Sequence, residues 1–192
     1  MNNLKSLAVY CGSAAGSLPV FADATRATAQ AMVGRGVDLV YGGGRLGLMG
    51  LVADSVLELG GRVYGVIPQA LVDIEVAHPN LTELHTVSNM HERKAKMTDL
   101  ADAFLALPGG IGTLDELFEA WSWNALGYHA KPFCLLNVDG FWDGMIEFID
   151  HATESGFLSA SRRAQLLVAG TPEEALDLLD EAAARATQGM VW

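Results

Sequence analysis

The sequence has few cysteines and few basic residues for its size. Only Cys11 and Cys134 occur among 192 residues, far apart and without a C-x-x-C pattern, which argues against a disulfide framework and a cysteine zinc cluster. Twelve Lys and Arg residues stand against 23 Asp and Glu, a formal net charge of −11. Such a balance argues against binding nucleic acid through a general basic surface, and an anionic ligand would need a local positive site.

Long apolar runs are also missing, although half of the residues are hydrophobic. No run reaches the ~18 apolar residues of a membrane span. The N-terminal apolar run is too short for a signal peptide and continues into a strand–helix pattern. We therefore expect a cytoplasmic protein with no membrane partner. The length predicts one domain, 1–192, able to bury a core without disulfides or metals, with a frayed tail over 186–192.

Short apolar segments alternate with helical patterns along the chain. Six are clear and ELHTV at 83–87 is a weaker seventh; the six span 6–11, 37–41, 62–67, 103–107, 133–138 and 165–169. Continuous apolar residues are typical of strands that are buried on both faces. The alternation predicts an α/β, Rossmann-like, doubly wound fold with a mainly parallel sheet of about seven strands and helices on both faces. Helices are predicted over 18–35, 46–60, 89–101, 113–126, 141–154 and 172–185.

Three glycine-rich turns follow predicted strands: CGSAAG at 11–16, YGGGRLGLMG at 41–50 and PGGIGT at 108–113. Ligands of open parallel sheets bind beyond the carboxyl ends of the strands, where helix N-termini present amides to anions. One such loop can be only a tight turn, but three together predict an anion site. Residues of the first two turns are candidates for additional ligand contacts: Cys11, Gly12, Ser13, Gly43 and Gly44.

The turn at 42–47 fits the dinucleotide fingerprint G-x-G-x-x-G, but its ribose-binding acid is missing, since the next strand ends in Val66, Ile67 and Pro68. An NAD(P) or flavin oxidoreductase is disfavoured yet stays open. The sequence contains neither a Walker A motif nor a G-x-S-x-G elbow. The five histidines show no metal-ligand spacing, so we expect no metal.

Two further segments each admit two interpretations. MHERKAKM at 90–97 places Arg93, Lys94 and Lys96 on a predicted helix, which is either a solvated basic face or a site where Arg93 binds a carboxylate or phosphate. Thr113 and Glu116 fit a capping box that would make Glu116 structural, whereas the preceding glycines favour a ligand role. TPEE at 171–174 fits the same box without the glycines, and there we predict a cap only.

These two segments resemble the Lonely Guy (LOG) family of nucleoside 5′-monophosphate phosphoribohydrolases. The family pattern P-G-G-x-G-T-x-x-E matches residues 108–116, and its R-K-x-x-M segment matches residues 93–97. The resemblance extends from residue 11 to about 138 and keeps the order of the motifs. Members were long labelled lysine decarboxylases, but no lysine here stands out as a pyridoxal-phosphate site.

The resemblance implies hydrolysis of the bond between adenine, or an N6-substituted adenine of cytokinin type, and ribose 5′-monophosphate. It implies a homodimer and no cofactor. The family's catalytic positions correspond to Arg93 and Glu116. Substrate contacts correspond to Glu75, Lys94, Gly110, Ile111, Gly112, Thr113, Leu114, Asp115 and Ser122. Plant members carry tyrosine and threonine where this sequence has Ile111 and Ser122, which leaves the base preference open.

The chemistry of these residue types agrees with that reaction. A carboxylate beside C1′ stabilises the positive charge of an oxocarbenium-like transition state, the role expected of Glu116. The phosphate is expected on amides of Gly110, Gly112 and Thr113. The competing hypothesis is a non-catalytic nucleotide or molybdenum-cofactor carrier, which would not need the Arg93 and Glu116 pair. Whether AMP or a prenylated derivative is the substrate stays open.

Overall fold

The computed structural model describes residues 3–72 and 77–188. Its centre is a sheet whose strands are β1 (Ser6–Tyr10), β2 (Asp38–Tyr41), β3 (Val63–Pro68), β4 (Glu83–Val87), β5 (Ala103–Ala106), β6 (Phe133–Leu136) and β7 (Leu166–Ala169). The strands lie in the order β4-β3-β2-β1-β5-β6-β7, and every neighbouring pair is parallel. The Rossmann-like fold predicted from the apolar runs is confirmed, including the weaker seventh strand.

Eight α-helices lie in the described residues. They are α1 (Pro19–Gly34), α2 (Gly47–Glu58), α3 (Gln69–Val72), α4 (Met90–Leu100), α5 (Ile111–Ala125), α6 (Asp143–Glu154), α7 (Ala160–Arg163) and α8 (Pro172–Gln188). The short helices α3 and α7 were not predicted, because four residues leave no measurable apolar period. Helix α8 continues three residues past its predicted end, and 189–192 of the predicted tail lie outside the described residues.

Two apolar cores cover the two faces of the sheet. Alternate residues of each strand point to opposite faces, so Leu7 and Val9 lie in one core while Ala8 and Tyr10 lie in the other. Helices α1, α2 and α8 cover the first face, and α4, α5 and α6 cover the second. Burial on both sides explains why the strands read as continuous apolar runs. No helix in the described part of the chain combines the length and the hydropathy needed to cross a bilayer.

The strand order reverses direction at β1, which places a crevice beyond the carboxyl ends of β1 and β5. The turns that follow these two strands touch there, since the Gly12 amide donates to the Pro108 carbonyl at 3.1 Å. Helix α4 crosses the second face beneath β1, β2 and β3 on its way from β4 to β5. The crevice therefore brings together segments that are about 100 residues apart in sequence.

Candidate active site

The crevice holds a cavity of about 310 Å³. Its walls come from the β1 turn (11–13), the start of α5 (110–113), Glu116, Arg93 and Met49. The structure thus brings both predicted catalytic residues and most of the predicted glycine loop to one place. A second cavity of about 290 Å³ adjoins it and shares Gly12, Ser13 and Gly110 with the first.

Glu116 reaches this cavity because α5 begins two residues earlier than predicted. The helix starts at Ile111 with Gly110 as its N-cap, and no side chain caps it. Thr113 and Glu116 therefore lie inside the helix, and the predicted capping box at 113–116 is wrong. Thr113 packs instead against Gly109, where a Cβ would overlap its hydroxyl. Glu116 lies in the second turn, and its side chain is 13% exposed.

The second capping box, at 171–174, is confirmed. The Thr171 hydroxyl accepts from the Glu174 amide at 3.3 Å, and the Glu174 carboxylate accepts from the Gly170 amide at 2.8 Å. The same capping-box pattern therefore forms at 171–174 and does not form at 113–116. At residue 113 the helix has already begun two residues earlier, with Gly110 as its N-cap, so the box does not form.

Arg93 is buried, with only 6% of the residue exposed, so a solvated basic face does not describe it. Its Nε donates to the Val66 carbonyl at 3.1 Å and its Nη2 donates to the Gly42 carbonyl at 3.0 Å. Nη2 also lies 3.9 Å from Oε1 of Glu116. A buried guanidinium is costly unless it is hydrogen-bonded and faces an opposite charge, and these three oxygens meet that need.

The glycines at 42–44 serve packing around Arg93 and do not line the cavity. A Cβ on Gly42 would overlap the Arg93 guanidinium. Gly43 has φ +77° and accepts from the His78 amide, while Gly44 pairs with Ala77. The turn also follows β2 and not β1, one strand away from the reversal of strand order. The match of residues 42–47 to the dinucleotide fingerprint is therefore explained by packing against Arg93 and by the conformation of this turn.

Comparison with known proteins agrees with this geometry. A family model described as "possible lysine decarboxylase" matches residues 49–179. The cytokinin riboside 5′-monophosphate phosphoribohydrolase LOG of Oryza sativa subsp. japonica is 47% identical over 191 residues, covering all of this chain and 79% of that protein. The corresponding LOG2 protein of Arabidopsis thaliana is 45% identical over 180 residues, covering 94% of this chain and 84% of that protein. The chain belongs to the LOG family.

The fold is shared more widely than the LOG family. The solved structure of a molybdenum-cofactor carrier protein from Chlamydomonas reinhardtii superposes with a TM-score of 0.69, covering 94% of this chain and 98% of that chain. The two sequences are only 18% identical. That likeness shows a common architecture and carries no information about chemistry.

Four predicted substrate contacts of this LOG family member do not line the cavity. Lys94 bonds Asp115, Leu114 packs against the core of the second face, and Ser122 lines an apolar groove between α5 and α6. Helical periodicity explains three of them, since Lys94 is next to Arg93, and Leu114 and Asp115 lie one or two residues before Glu116, too close in sequence to share its face. Glu75 lies outside the described residues.

Burial keeps two groups near Glu116 protonated. The pKa of the Cys11 thiol is raised well above its usual value, first by burial and then by the charge of Glu116. The pKa of Tyr10 is raised by burial and then by Glu116 and Glu119, with Arg93 opposing. A reactive Cys11 thiolate is therefore disfavoured. No group of three metal-ligating side chains occurs among the described residues.

Three residues near the site were not predicted from the sequence. Met49 lines the cavity, Tyr10 is in electrostatic contact with Glu116, and Glu119 bonds Lys94. The position of Tyr10 at the end of β1 was a usable signal, because that strand end forms the crevice. Nothing local in the sequence distinguishes Glu119 from a surface carboxylate.

Proposed function

We propose that the protein hydrolyses the N-glycosidic bond of a purine nucleoside 5′-monophosphate and releases the free base and ribose 5-phosphate. The observation that carries the proposal is the buried Arg93 guanidinium facing the Glu116 carboxylate in one cavity, with Nη2 and Oε1 3.9 Å apart. The names of the LOG relatives support the same reaction.

The start of α5 suits a phosphate. The first amides of a helix have no carbonyl within the helix to bind, and the helix dipole makes this end attractive to anions. A Cβ on Gly110 or on Gly112 would meet nothing within 4 Å, so the backbone there is open to a close ligand. In a chain with a net charge of −11, this helix end and Arg93 supply the local positive site.

The bond-breaking step uses the carboxylate of Glu116. As the bond from C1′ to the base nitrogen breaks, its electron pair leaves with the base and positive charge builds on the ribose. The Glu116 carboxylate stabilises that charge and orients a water, whose oxygen bonds C1′. The water loses one proton as its oxygen bonds C1′ and the departing base nitrogen gains one, so the elements of water are divided between ribose 5-phosphate and the free base. Arg93 has two roles consistent with its position, holding Glu116 ionised and in place or donating to the departing base.

The two alternatives from the sequence have less support. The carrier hypothesis rests on a fold likeness at 18% identity and gives no use to the Arg93 and Glu116 pair. The oxidoreductase hypothesis rested on the glycines at 42–47, of which Gly42 makes room for Arg93.

The assembly and the cellular location are further parts of this proposal. We propose a homodimer, as the resemblance to the LOG family implies, and a cytoplasmic location. Cys11 and Cys134 are both buried and free, which fits a reducing compartment.

The deciding experiment incubates the full chain separately with AMP and with isopentenyladenosine monophosphate. We expect free base and ribose 5-phosphate in equal amounts from at least one of them, detected by chromatography. Adenosine is the matched control, and its hydrolysis should be far slower because it lacks the phosphate that the start of α5 would bind. If neither nucleotide releases base, the proposed function is wrong.

A further inference from the structure

We propose that Lys94 is a positioning residue and not a substrate contact: by bonding Asp115 and Glu119 it holds α4 against α5 so that Arg93 and Glu116 meet across the cavity. The inference rests on the proposed function. In it, Lys94 acts on the reaction through the positions of Arg93 and Glu116.

The Lys94 ion pairs are the tightest ties between the two helices that carry the site. Nζ of Lys94 lies 2.7 Å from Oδ2 of Asp115 and 2.7 Å from Oε2 of Glu119. The Arg93 to Glu116 distance is 3.9 Å, at the limit of an ion pair. The two short contacts join α4 to α5 beside the longer contact between Arg93 and Glu116.

The cluster of Lys94, Asp115 and Glu119 lies close in sequence to the catalytic pair. Lys94 follows Arg93 on α4, Asp115 precedes Glu116 on α5, and Glu119 lies one turn further along α5. A change in the Lys94 contacts therefore moves Arg93 and Glu116 directly. The backbones of α4 and α5 approach each other at few positions, so side chains must join the helices.

Partial burial and opposite charges indicate that the ion pairs of Lys94 are part of the folded structure. The side chains of Lys94 and Glu119 are 16% and 21% exposed, whereas that of Asp115 is 55% exposed. Exposed ion pairs contribute little free energy, so the Lys94 to Glu119 pair is the stronger of the two. Burial lowers the pKa of Lys94, but the bonds from Asp115 and Glu119 outweigh it and raise the pKa above its ordinary value. Lys94 therefore stays charged while two carboxylates engage its ammonium group.

The cluster also balances charge beside the cavity. Asp115, Glu116 and Glu119 are three carboxylates on two turns of one helix, and Arg93 and Lys94 on α4 form ion pairs with them. Glu119 lies three residues after Glu116 on α5, so removing Lys94 would leave two like charges on neighbouring turns of one helix without its compensating charge. We therefore expect its loss to displace Glu116, the group that acts on C1′.

Substitutions at both ends of the bond separate the two roles of Lys94. Lys94→Met, Glu119→Gln and the double variant are compared with the unsubstituted chain in nucleotide hydrolysis. A positioning role predicts that each single change lowers kcat about 10- to 100-fold, the loss expected from misplacing a reacting group by about 1 Å, with KM nearly constant. The double variant should be no worse than the singles, because the pair acts as a unit.

If Lys94 instead binds the substrate, KM should change and kcat should not. Lys94→Met would then raise KM at constant kcat, and Glu119→Gln would release the lysine and leave or lower KM; this pattern overturns the inference. Lys94→Arg should restore part of kcat, since it keeps the charge and the reach. Lys96→Met is the matched control, a lysine on the same helix outside the cluster, and it should leave kcat and KM unchanged.

The outcomes distinguish this inference from the proposed function. The variants are assayed with whichever of the two nucleotides the unsubstituted chain hydrolyses, and an unsubstituted chain that releases no base from either AMP or isopentenyladenosine monophosphate overturns both. An active chain in which Glu119→Gln keeps its full kcat overturns only the inference. Circular dichroism and thermal unfolding of each variant identify a loss of fold, and the near-isosteric Glu119→Gln keeps the test decisive if Lys94→Met does not fold.

Discussion

Glu116 shows how one residue's role depends on where its helix starts. As the third residue of a helix it would bond back to the N-cap amide; as the sixth it can point into the cavity. Gly110 is the N-cap and the helix begins at Ile111, while the missing Cβ of Gly109 makes room for the Thr113 hydroxyl inside the first turn. Gly110 and Gly112 leave the backbone open at the start of the helix.

Glu116→Gln should abolish hydrolysis without unfolding the protein. Glutamine keeps the shape and the helix propensity of glutamate but removes the negative charge that stabilises the ribosyl cation. We expect kcat for AMP to fall by about 100- to 1000-fold, a typical cost of removing one electrostatic stabiliser. Steady-state assays measure this, and Glu181→Gln, on an exposed position of α8, is the control. Unchanged turnover would refute the catalytic role of Glu116.

At the scale of elements, α4 and α8 are capped by similar side-chain arrangements. The Asn89 side chain accepts from the Glu92 amide at 2.9 Å, and the Glu92 carboxylate accepts from the Ser88 amide at 2.9 Å. Thr171 and Glu174 repeat this at the start of α8. These local bonds fix where α4 begins, and α4 carries Arg93 and Lys94.

The carboxylate bond in the α4 cap should weaken in acid. Hydrogen bonds from Ser88 hold the pKa of Glu92 below its usual value. The stabilisation from Glu92 is therefore present above the unfolded pKa of about 4.3 and is lost as the pH falls through the lower folded pKa. Glu92→Gln should lower the free energy of unfolding at pH 7, and the difference from the unsubstituted chain should shrink in acid.

Thr171→Ala is the matched control for that measurement. It removes a cap whose hydroxyl does not titrate, so we expect a loss of about 1 kcal/mol at both pH values. Urea unfolding at pH 7 and below pH 4 gives both quantities. A Glu92→Gln difference that is equal at the two pH values would contradict the titration argument.

At the scale of the whole molecule, exposed aromatic side chains form an apolar surface between α5 and α6. Phe148 is 67% exposed and Phe157 is 90% exposed, and both line the apolar groove of about 330 Å³ that also holds Ser122. Contiguous exposed apolar surface marks interaction sites. With the homodimer proposed above, we expect this face to lie in the contact between two copies.

Charged substitutions on this face test the assembly. Phe148→Glu and Phe157→Glu should shift the protein from dimer to monomer in sedimentation equilibrium, because a carboxylate would be buried without a partner. Leu59→Glu, at a similarly exposed apolar position after α2, should leave the dimer intact. An unsubstituted chain that sediments as a monomer would contradict the homodimer. A dimer unaffected by both phenylalanine changes would place the contact elsewhere.

Much of the architecture is readable from the sequence because its causes are local. Apolar runs such as 103–107 mark strands buried on both faces, and the motifs at 93–97 and 108–116 mark the family. The limits appear where a side chain's direction depends on distant neighbours. Lys94, Leu114, Asp115 and Ser122 share the motif region with Glu116 but point away from the cavity.

The sequence by itself determined the elements, the alternation that requires a parallel sheet, and the residue types available for ribosyl chemistry, since these depend on short-range pattern and composition. Only the tertiary structure decided that Arg93 is buried against Gly42 and Val66, that α5 starts at Ile111, and that Lys94 joins two helices. These features depend on strand order, which brings α4 under β1 to β3 and next to the β5 turn. Contacts between residues that are far apart in sequence produce no periodic pattern of residue types, so the sequence alone does not predict them.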